Sequence, residues 1–288
     1  MNVLSLFDGM SCGQIALDQL GIPVTNYFAS EIDEYAMRIS QKNYPDTIYL
    51  GDVTKVDGAD LPNIRLLLGG SPCQGFSFAG KQLNFDDPRS ALFFEFVRIL
   101  KETQPEYFLL ENVRMKQEYQ DIITEHLGVE PIMINSSLVS AQNRVRLYWT
   151  NIPNITQPED KGIVLKDILE TDVDEIIYEA PYYKRYDKED GCIGYVGKQP
   201  KQATRVYSIN DKSQCITALG GGQGGKTGLY EVSILQKPRG KNKGGYKAQN
   251  GKTPTLTSNA WEQNNFIAHD NKCRKLTPTE CERLQTVP

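Results

Sequence analysis

Short apolar runs alternate with helix-forming segments through the first 150 residues, and this alternation limits the fold more than any other feature. Buried strands are predicted at 3–7, 24–29, 47–50, 64–68 and 107–110, with two later strands at 132–135 and 145–150. Helices are predicted between them at 11–20, 33–43, 88–103 and 116–126. This βαβα order predicts an α/β fold with a doubly wound, mostly parallel sheet and helices on both faces.

Three of the predicted helices begin with recognisable cap signals. Ser11, followed three residues later by Gln14, has the form of a capping box. Asp87 precedes Pro88, which suits the first position of a helix. The stretch TPTE at 277–280 combines both signals, so a further helix is predicted near the end of the chain.

The chain changes character after about residue 152, where glycine, proline, lysine and asparagine become more frequent and helical periodicity fades. Residues 191–275 hold 14 lysines and arginines against 4 acidic residues, although the whole chain has a net charge of −4. This segment is interpreted either as a solvated, loop-rich face or as a phosphate-binding surface. A second, smaller domain rich in strands and loops is predicted here.

Composition argues against several classes of protein. No run approaches about 18 apolar residues, so no membrane span is predicted. The N-terminus lacks the basic start of a secretory signal. The six cysteines are scattered without a Cys-x-x-Cys pair and the chain has two histidines, so neither a metal site nor a disulfide framework is expected. We therefore predict a cytoplasmic protein that holds no metal.

Five candidate functional residues fall at or just after predicted strand ends: Phe7, Glu31, Asp52, Cys73 and Glu111. Ligands of such sheets bind beyond the carboxyl ends of the strands, so these residues are predicted to share one cleft. Taken singly, their signals are weaker. The glycine turn after Phe7 is as consistent with a tight structural turn as with an anion-binding helix start. Glu31 and Asp52 are each also consistent with ordinary surface carboxylates.

The stretch GGSPCQGFS, residues 69–77, sets Cys73 in a glycine-rich turn after an apolar run. Backbone amides in such a turn favour the nucleophilic thiolate, whereas a small buried core residue is the commoner fate of cysteine. Glu111 would act as an acid if it were desolvated. Arg144 and Arg146 are predicted on one side of a strand, either as an exposed basic edge or as paired forks for anion or base recognition.

The ordered motifs FDGMSCG, EID, GDV, GGSPCQGFS, ENV, QNRVR and RKLTPTECERLQ resemble those of the S-adenosylmethionine-dependent cytosine-C5 DNA methyltransferases of bacteria and phages. The resemblance covers residues 2–150 and 274–288 and leaves out 152–272, the variable target-recognition region of that family. It implies a Rossmann-like methyltransferase sheet with S-adenosylmethionine as the cofactor. It also implies methyl transfer to C5 of a flipped cytosine in duplex DNA, through a covalent adduct between Cys73 and C6.

The resemblance assigns roles to individual residues in three groups. For catalysis, the nucleophile would be Cys73 and the acid at cytosine N3 would be Glu111. The base would be steadied by Arg144 and Arg146. The cofactor would be bound by Phe7, Asp8, Gly9, Gly13, Glu31, Ile32, Asp52 and Val53. The target base would be contacted by Ser71, Pro72, Gln74, Ser77, Asn112 and Gln142.

The resemblance also predicts how the chain is divided. An S-adenosylmethionine-binding catalytic domain is expected at 1–151, a target-recognition domain at 152–272, and a return to the catalytic domain at 273–288. The family's C-terminal Gly-Asn motif is missing before Pro288, so we expect the natural chain to continue past that residue. Duplex DNA and a cognate restriction endonuclease are the expected partners of a monomeric protein. Two alternatives stay open: an RNA substrate, and a non-catalytic regulatory or DNA-binding role.

Overall fold

The computed structural model describes residues 1–72, 88–170, 178–179, 192–195, 205–215, 229–231, 234–236, 245–247, 265–266, 272–274 and 276–287. The chain forms two compact units, one of residues 1–135 with 145–157 and one of residues 136–144 with 158–288. The predicted domain limits at 151 and 272 stay a prediction.

The first unit alternates strands with helices. Its strands are β1 (Asn2–Leu6), β2 (Asn26–Ser30), β3 (Ile48–Tyr49), β4 (Leu66–Gly69), β5 (Tyr107–Val113), β6 (Ile132–Asn135) and, after β7 (Gln142–Asn143) of the second unit, β8 (Val145–Thr150). Its helices are α1 (Cys12–Gln19), α2 (Glu34–Asn43), α3 (Pro88–Thr103) and α4 (Gln117–Leu127), with 3₁₀ turns at Val53–Lys55 and Gly58–Asp60.

The described strands of the first unit form one sheet in the order β3-β2-β1-β4-β5-β8-β6. The first five strands are parallel, whereas β8 runs antiparallel to both β5 and β6. This confirms the predicted α/β fold with a mostly parallel sheet. The strand order reverses between β1 and β4, and in such sheets the ligand crevice lies beyond the carboxyl ends of the strands at that point.

The sheet is buried on both faces, which explains its near-continuous apolar strands. Successive side chains of β1 point to opposite faces. Leu4 belongs to a large core cluster with Phe93 and Phe96 of α3, whereas Val3 belongs to a second cluster with Leu17 of α1. The helices α3 and α1 therefore pack against two separate apolar clusters, one on each face of the sheet.

The predicted capping box at Ser11 is wrong. Ser11 has a φ of 64° and its side chain makes no cap hydrogen bond to α1. Its hydroxyl donates instead to the carboxylate of Asp8, because the left-handed turn directs it back into the protein.

The predicted cap at Thr277 is confirmed, since its side chain accepts the N–H of Glu280. Asp33 also caps a helix, α2, where its side chain accepts the N–H groups of Tyr35 and Ala36. The predicted cap at Asp87 lies outside the described residues.

Two further local predictions are wrong. Glu111 lies inside β5 and not at its end, because β5 continues past the last residue of β4 and pairs with antiparallel β8 as far as Val113. Arg144 and Arg146 do not share a strand, since Arg144 falls in the break between β7 and β8. The two guanidinium groups therefore have different surroundings.

The second unit is built from short strands. After β7 they are β9 (Tyr178–Glu179), β10 (Cys192–Tyr195), β11 (Arg205–Tyr207), β12 (Ser213–Gln214), β13 (Leu229–Glu231), β14 (Ile234–Gln236), β15 (Gly245–Lys247), β16 (Asn265–Phe266) and β17 (Lys272–Arg274). The helix α5 (Pro278–Leu284) follows, and 3₁₀ turns lie at Ser136–Leu138 and Leu165–Asp167. Where residues are described, the sheet orders are β10-β11-β13-β17-β9, β12-β7 and β15-β14-β16. The described part of the second unit is thus rich in short strands, as predicted.

Candidate active site

The turn after β1 is braced from inside by a buried carboxylate. Phe7 and Gly9 adopt φ values of 59° and 60°. Between them, Asp8 is 9% exposed and accepts hydrogen bonds from Tyr27 Oη at 2.7 Å and from the hydroxyl of Ser11. Burial raises the pKa of Asp8, although these donors act in the opposite direction. The Asp8 side chain therefore fixes the shape of the turn.

Glu31 connects the ends of β1 and β2. Its Oε2 accepts the N–H of Gly9 at 2.7 Å, and its Oε1 accepts the N–H groups of Ile32 and Asp33 at 2.7 and 2.8 Å. A Cβ added to Gly9 would meet no atom within 4 Å, and the Ile32 side chain is 73% exposed. Open space thus lies beside a fixed carboxylate and an apolar side chain, which suits a nucleoside with its hydroxyl groups and flat ring.

Asp52 follows β3 and caps a single 3₁₀ turn. Its Oδ1 accepts the N–H and the hydroxyl of Thr54 at 3.0 and 2.9 Å. These bonds lower the pKa of Asp52, so its carboxylate is held in the ionised form. The next residue, Val53, is 5% exposed and packs into the core, so only its backbone can reach a ligand.

Gly13 allows α1 to approach the sheet closely. A Cβ at this position would lie 2.6 Å from Leu68 Cδ1 and 2.8 Å from Tyr27 Oη. Both distances are shorter than ordinary Cβ contacts, so packing favours glycine at this point. Its predicted contact with a cofactor stays a prediction.

Asn112 anchors the backbone that leads to the predicted nucleophile. Asn112 and Ser71 are 1% and 4% exposed, and Asn112 Nδ2 donates to Ser71 Oγ at 3.2 Å. Pro72, the next residue, is half-buried. The predicted nucleophile and two predicted base contacts lie outside the described residues: Cys73, Gln74 and Ser77.

Glu111 and Arg146 form an ion pair across the antiparallel strands β5 and β8. Arg146 Nε lies 2.7 Å from Glu111 Oε1, and the two side chains are 13% and 31% exposed. Glu111 pairs in register with Tyr148, so Arg146 is its diagonal neighbour. A Cβ on Gly70 would lie 3.5 Å from Glu111 Oε2. The carboxylate thus lies against an arginine, beside the backbone three residues before Cys73.

Arg144 and Gln142 belong to the second unit. Arg144 Nη1 contacts Cys215 Sγ at 3.3 Å. Gln142 is 1% exposed, and its side-chain oxygen accepts a hydrogen bond from Gln285 Nε2 at 3.3 Å. The Gln142 carbonyl also accepts the hydroxyl of Ser136. The predicted contacts of Arg144 and Gln142 with the base stay predictions.

Two residues that support the turn after β1 were not predicted from the sequence. Tyr27 donates to Asp8, and Ser40 Oγ lies 2.6 Å from Ser11 Oγ. A tyrosine in a buried strand needs a partner for its hydroxyl, which was the available signal for Tyr27. Ser40, on α2, had no comparable signal.

A glycine turn beside an acidic residue at the end of the next parallel strand is typical of α/β proteins that bind a nucleoside cofactor. The sequence profile of the family "C-5 cytosine-specific DNA methylase" matches residues 1–288, so this chain belongs to that family. Membership implies that a methyl donor is used.

Individual relatives agree with this family. The type II methyltransferase M.NgoBV of Neisseria gonorrhoeae is 34% identical over 260 residues, which are 81% of this chain and 56% of that protein. The orphan methyltransferase M.Rho11sI of Bacillus phage rho11s is 30% identical over 304 residues, 81% of this chain and 60% of that protein. The chain thus spans less than two thirds of the length of these relatives.

A solved structure shows the same fold. A variant of Spodoptera frugiperda DNMT2 has a TM-score of 0.62 to this chain at 20% identity, and the match covers 100% of this chain and 88% of that one. Among the described residues, no helix is long and apolar enough to cross a membrane, and no group of three or more His, Cys, Asp or Glu side chains is arranged to hold a metal ion.

Proposed function

We propose that this chain is the catalytic part of a DNA (cytosine-5)-methyltransferase that uses S-adenosylmethionine. The observation that carries the proposal is the Glu111–Arg146 ion pair, 2.7 Å long and beside the Gly70 backbone that leads to Cys73. Addition of a nucleophile to cytosine requires a thiolate at C6 and a proton donor or hydrogen bond at N3. A carboxylate beside Gly70, three residues before a cysteine, suits both requirements, and family membership supports the same reaction.

S-adenosylmethionine, when bound, supplies an electrophilic methyl group. Glu31 would accept hydrogen bonds from the ribose hydroxyls and Asp52 from the adenine amino group. Phe7 and Ile32 would pack against the adenine. The fixed Glu31 carboxylate, the open space at Gly9 and the exposed Ile32 side chain support this assignment.

The rest of the cofactor site would act through the backbone. The turn through Gly9 and Gly13 would hold the methionine part. Asp8 and Val53 are buried, so their contributions would come from main-chain groups and, for Asp8, from the shape of the turn that it braces.

Cys73 would begin the chemistry. Its thiolate adds to C6 of the target cytosine, which breaks the C5–C6 double bond and makes C5 nucleophilic. The methyl group would pass from the donor's sulfonium sulfur to C5, which leaves the donor as a neutral thioether. Loss of the C5 proton to a base and elimination of the thiolate would then restore the ring and regenerate Cys73. A ring face cannot be attacked inside a base stack, so the target cytosine has to be flipped out of the duplex.

Glu111 would hold or protonate cytosine N3, and Arg146 would keep the Glu111 carboxylate in one orientation. Arg144 would steady the base and the intermediate. Further contacts to the base are proposed for Ser71, Pro72, Gln74, Ser77, Asn112 and Gln142.

Duplex DNA is the proposed substrate, and the basic segment 191–275 would contact its phosphates. A cognate restriction endonuclease is a proposed partner. M.NgoBV is named a type II methyltransferase and M.Rho11sI an orphan one, so the two names support different arrangements. We propose that the protein works as a monomer in the cytoplasm, where the DNA is.

Expression of the full-length gene in cells whose DNA lacks 5-methylcytosine tests this function, with bisulfite sequencing as the measurement. Wild type should methylate cytosine within one short sequence context, and Cys73→Ser should methylate none. Cys281→Ser, a thiol replacement on α5, serves as the matched control and should behave as wild type. Normal DNA methylation by Cys73→Ser would contradict the proposal. Methylation of tRNA in place of DNA would support the RNA alternative.

A further inference from the structure

Arg98, on α3, is bonded to the backbone of the turn that follows Asp52. Its Nη2 donates to the carbonyl of Val53 at 3.1 Å, and its Nη1 donates to the carbonyl of Val56 at 2.9 Å. The backbone bonds within the turn run from Lys55 to Asp52 and from Val56 to Val53, at 3.0 and 3.2 Å. A single 3₁₀ turn is a weak unit by itself, so its position depends on what it is attached to.

Two glutamates hold the Arg98 guanidinium in one orientation. Glu95 Oε2 accepts its Nε and Nη2 at 3.0 and 2.7 Å, and Glu102 accepts its Nη1 at 2.9 and 3.0 Å. Glu102 Oε2 also accepts the N–H of Gly58 at 2.9 Å. Because a guanidinium is a rigid planar fork, these bonds fix the directions in which Arg98 donates to the turn.

The segment held in this way carries Asp52. The side chains of Val53 and Val56, 5% and 6% exposed, set how deep the turn lies against the core. Arg98 then bonds the carbonyls of these same two residues. Rotation or sliding of the turn would move the Asp52 carboxylate, and it would break at least one of the two bonds to Arg98.

We propose that Arg98 is a positioning residue for the methyl donor, because it holds the Asp52 turn where the Asp52 carboxylate meets the adenine. This inference rests on the proposed function, in which Asp52 binds the donor. Arg98 touches neither the donor nor the DNA in this account, and it acts through residues 52–56.

The test compares the full-length wild type with Arg98→Met, Arg98→Lys and Arg65→Met. Arg98→Met removes both bonds to the turn, whereas Arg98→Lys keeps the charge without the fork. Arg65→Met is the matched control, since Arg65 also pairs with a glutamate, Glu106, at 2.7 Å but is about half exposed and does not contact the turn. Isothermal titration with S-adenosylmethionine gives the affinity, and steady-state kinetics separate KM for the donor from kcat.

Arg98→Met should weaken binding of S-adenosylmethionine about tenfold, the effect expected when about one charge-assisted hydrogen bond no longer holds a binding group. Arg98→Lys should lie between Arg98→Met and wild type. At saturating donor, kcat should change less than about threefold, as expected when only binding is impaired. Arg65→Met should match wild type. Unchanged affinity in Arg98→Met, or an equal loss in Arg65→Met, would overturn the inference.

A double-mutant cycle shows whether Arg98 acts through Asp52. In an Asp52→Ala background, Arg98→Met should cost much less affinity than it does in wild type, because the side-chain acceptor that Arg98 positions is gone. Full additivity of the two losses would mean that Arg98 acts by another route, and would refute the proposal.

Hydrogen exchange of the protein without any ligand separates this inference from the proposed function. Arg98→Met should speed amide exchange in residues 53–58 relative to wild type and Arg65→Met, since the turn loses its anchor. Unchanged exchange there would contradict the inference even for an active enzyme. Faster exchange in a protein that binds no S-adenosylmethionine would instead show that the donor assignment has failed, and the proposed role of Arg98 with it.

Discussion

Replacement of Gly13 by alanine tests how the closeness of α1 to the sheet maintains the donor-binding turn. The added Cβ would lie 2.6 Å from Leu68 Cδ1 and 2.8 Å from Tyr27 Oη. The Leu68 methyl is the end of a flexible side chain and can rotate away. Tyr27 is 3% exposed and donates to Asp8, so its hydroxyl cannot move without weakening that bond. The strain should therefore pass to the turn after β1.

The size of the effect follows from these contacts. Overpacking of a core site costs about 1–3 kcal/mol, and a weakened hydrogen bond to a carboxylate adds about 1 kcal/mol. Alanine offsets about 0.5–1 kcal/mol of this cost, because it favours the helical conformation more than glycine does. The free energy of unfolding of the first unit should thus fall by about 1–3 kcal/mol, although Gly→Ala within a helix usually stabilises.

Urea unfolding followed by tryptophan fluorescence measures this loss. The chain has two tryptophans, and Trp149 is fully buried in the core of the first unit. With Trp261→Phe in every variant, the signal comes from Trp149 alone. The control is Gly13→Ala in a Tyr27→Phe background, where the hydroxyl contact is absent and the ring carbon Cζ lies at an ordinary 3.8 Å. The cost of Gly13→Ala should then be smaller by about 1 kcal/mol. A neutral or stabilising Gly13→Ala, or an equal cost in both backgrounds, would refute this reasoning.

Three further outcomes are expected. Burial raises the pKa of Asp8 in the folded protein above its ordinary 3.8, so wild type should lose stability relative to Asp8→Asn as the pH rises through that raised pKa. Urea unfolding across about pH 4–8 measures the difference in the free energy of unfolding between the two proteins, and a difference that does not vary with pH would contradict the prediction. Glu111→Gln and Arg146→Met should each lower kcat about 10²–10⁴-fold. Because the ion pair acts as a unit, the double variant should be little slower than the slower single variant; a double variant whose loss in single-turnover rate equals the product of the two single losses would argue against this. Thr277→Ala should destabilise the second unit by about 1–2 kcal/mol in chemical denaturation, whereas Thr277→Ser, which keeps the cap, should cost much less; equal losses would exclude the cap as the cause.

The order of the elements could be predicted because it depends on local patterns. The apolar runs that became β1, β4 and β5 are buried on both faces, so each stands out from its polar neighbours in the sequence. The cap of α5 was also predictable, since Thr277 and Glu280 are three residues apart and satisfy each other's backbone groups.

The wrong predictions depended on distant partners. Ser11 has the residue type and spacing of a helix cap, but its hydroxyl is taken by Asp8 and Ser40 in a buried cluster. The end of β5 is set by its pairing with β8, which lies about 35 residues further along the chain. The sequence of β5 alone does not indicate that pairing.

The candidate site was predictable to different degrees. Glu31 was placed correctly at the end of β2, since an acidic residue after an apolar run is a local signal. The separation of Arg144 from Arg146 was not predictable, because the break between β7 and β8 depends on the pairing of β7 with β12 about 70 residues later. The bonds of Arg98 were not predictable, because the carbonyls of Val56 and Val53 lie 42 and 45 residues earlier in the chain.

We expect Cys73 to form a covalent bond to the target cytosine. The direct measurement incubates the full-length protein and S-adenosylmethionine with a duplex that carries 5-fluorocytosine at the methylated position. Fluorine at C5 cannot be lost as a proton is, so the adduct should persist through denaturing electrophoresis, and peptide mapping should find the DNA on Cys73. Cys281→Ser should form the same complex and Cys73→Ser none. A complex joined through another residue, or none from an enzyme that methylates ordinary DNA, would contradict the account.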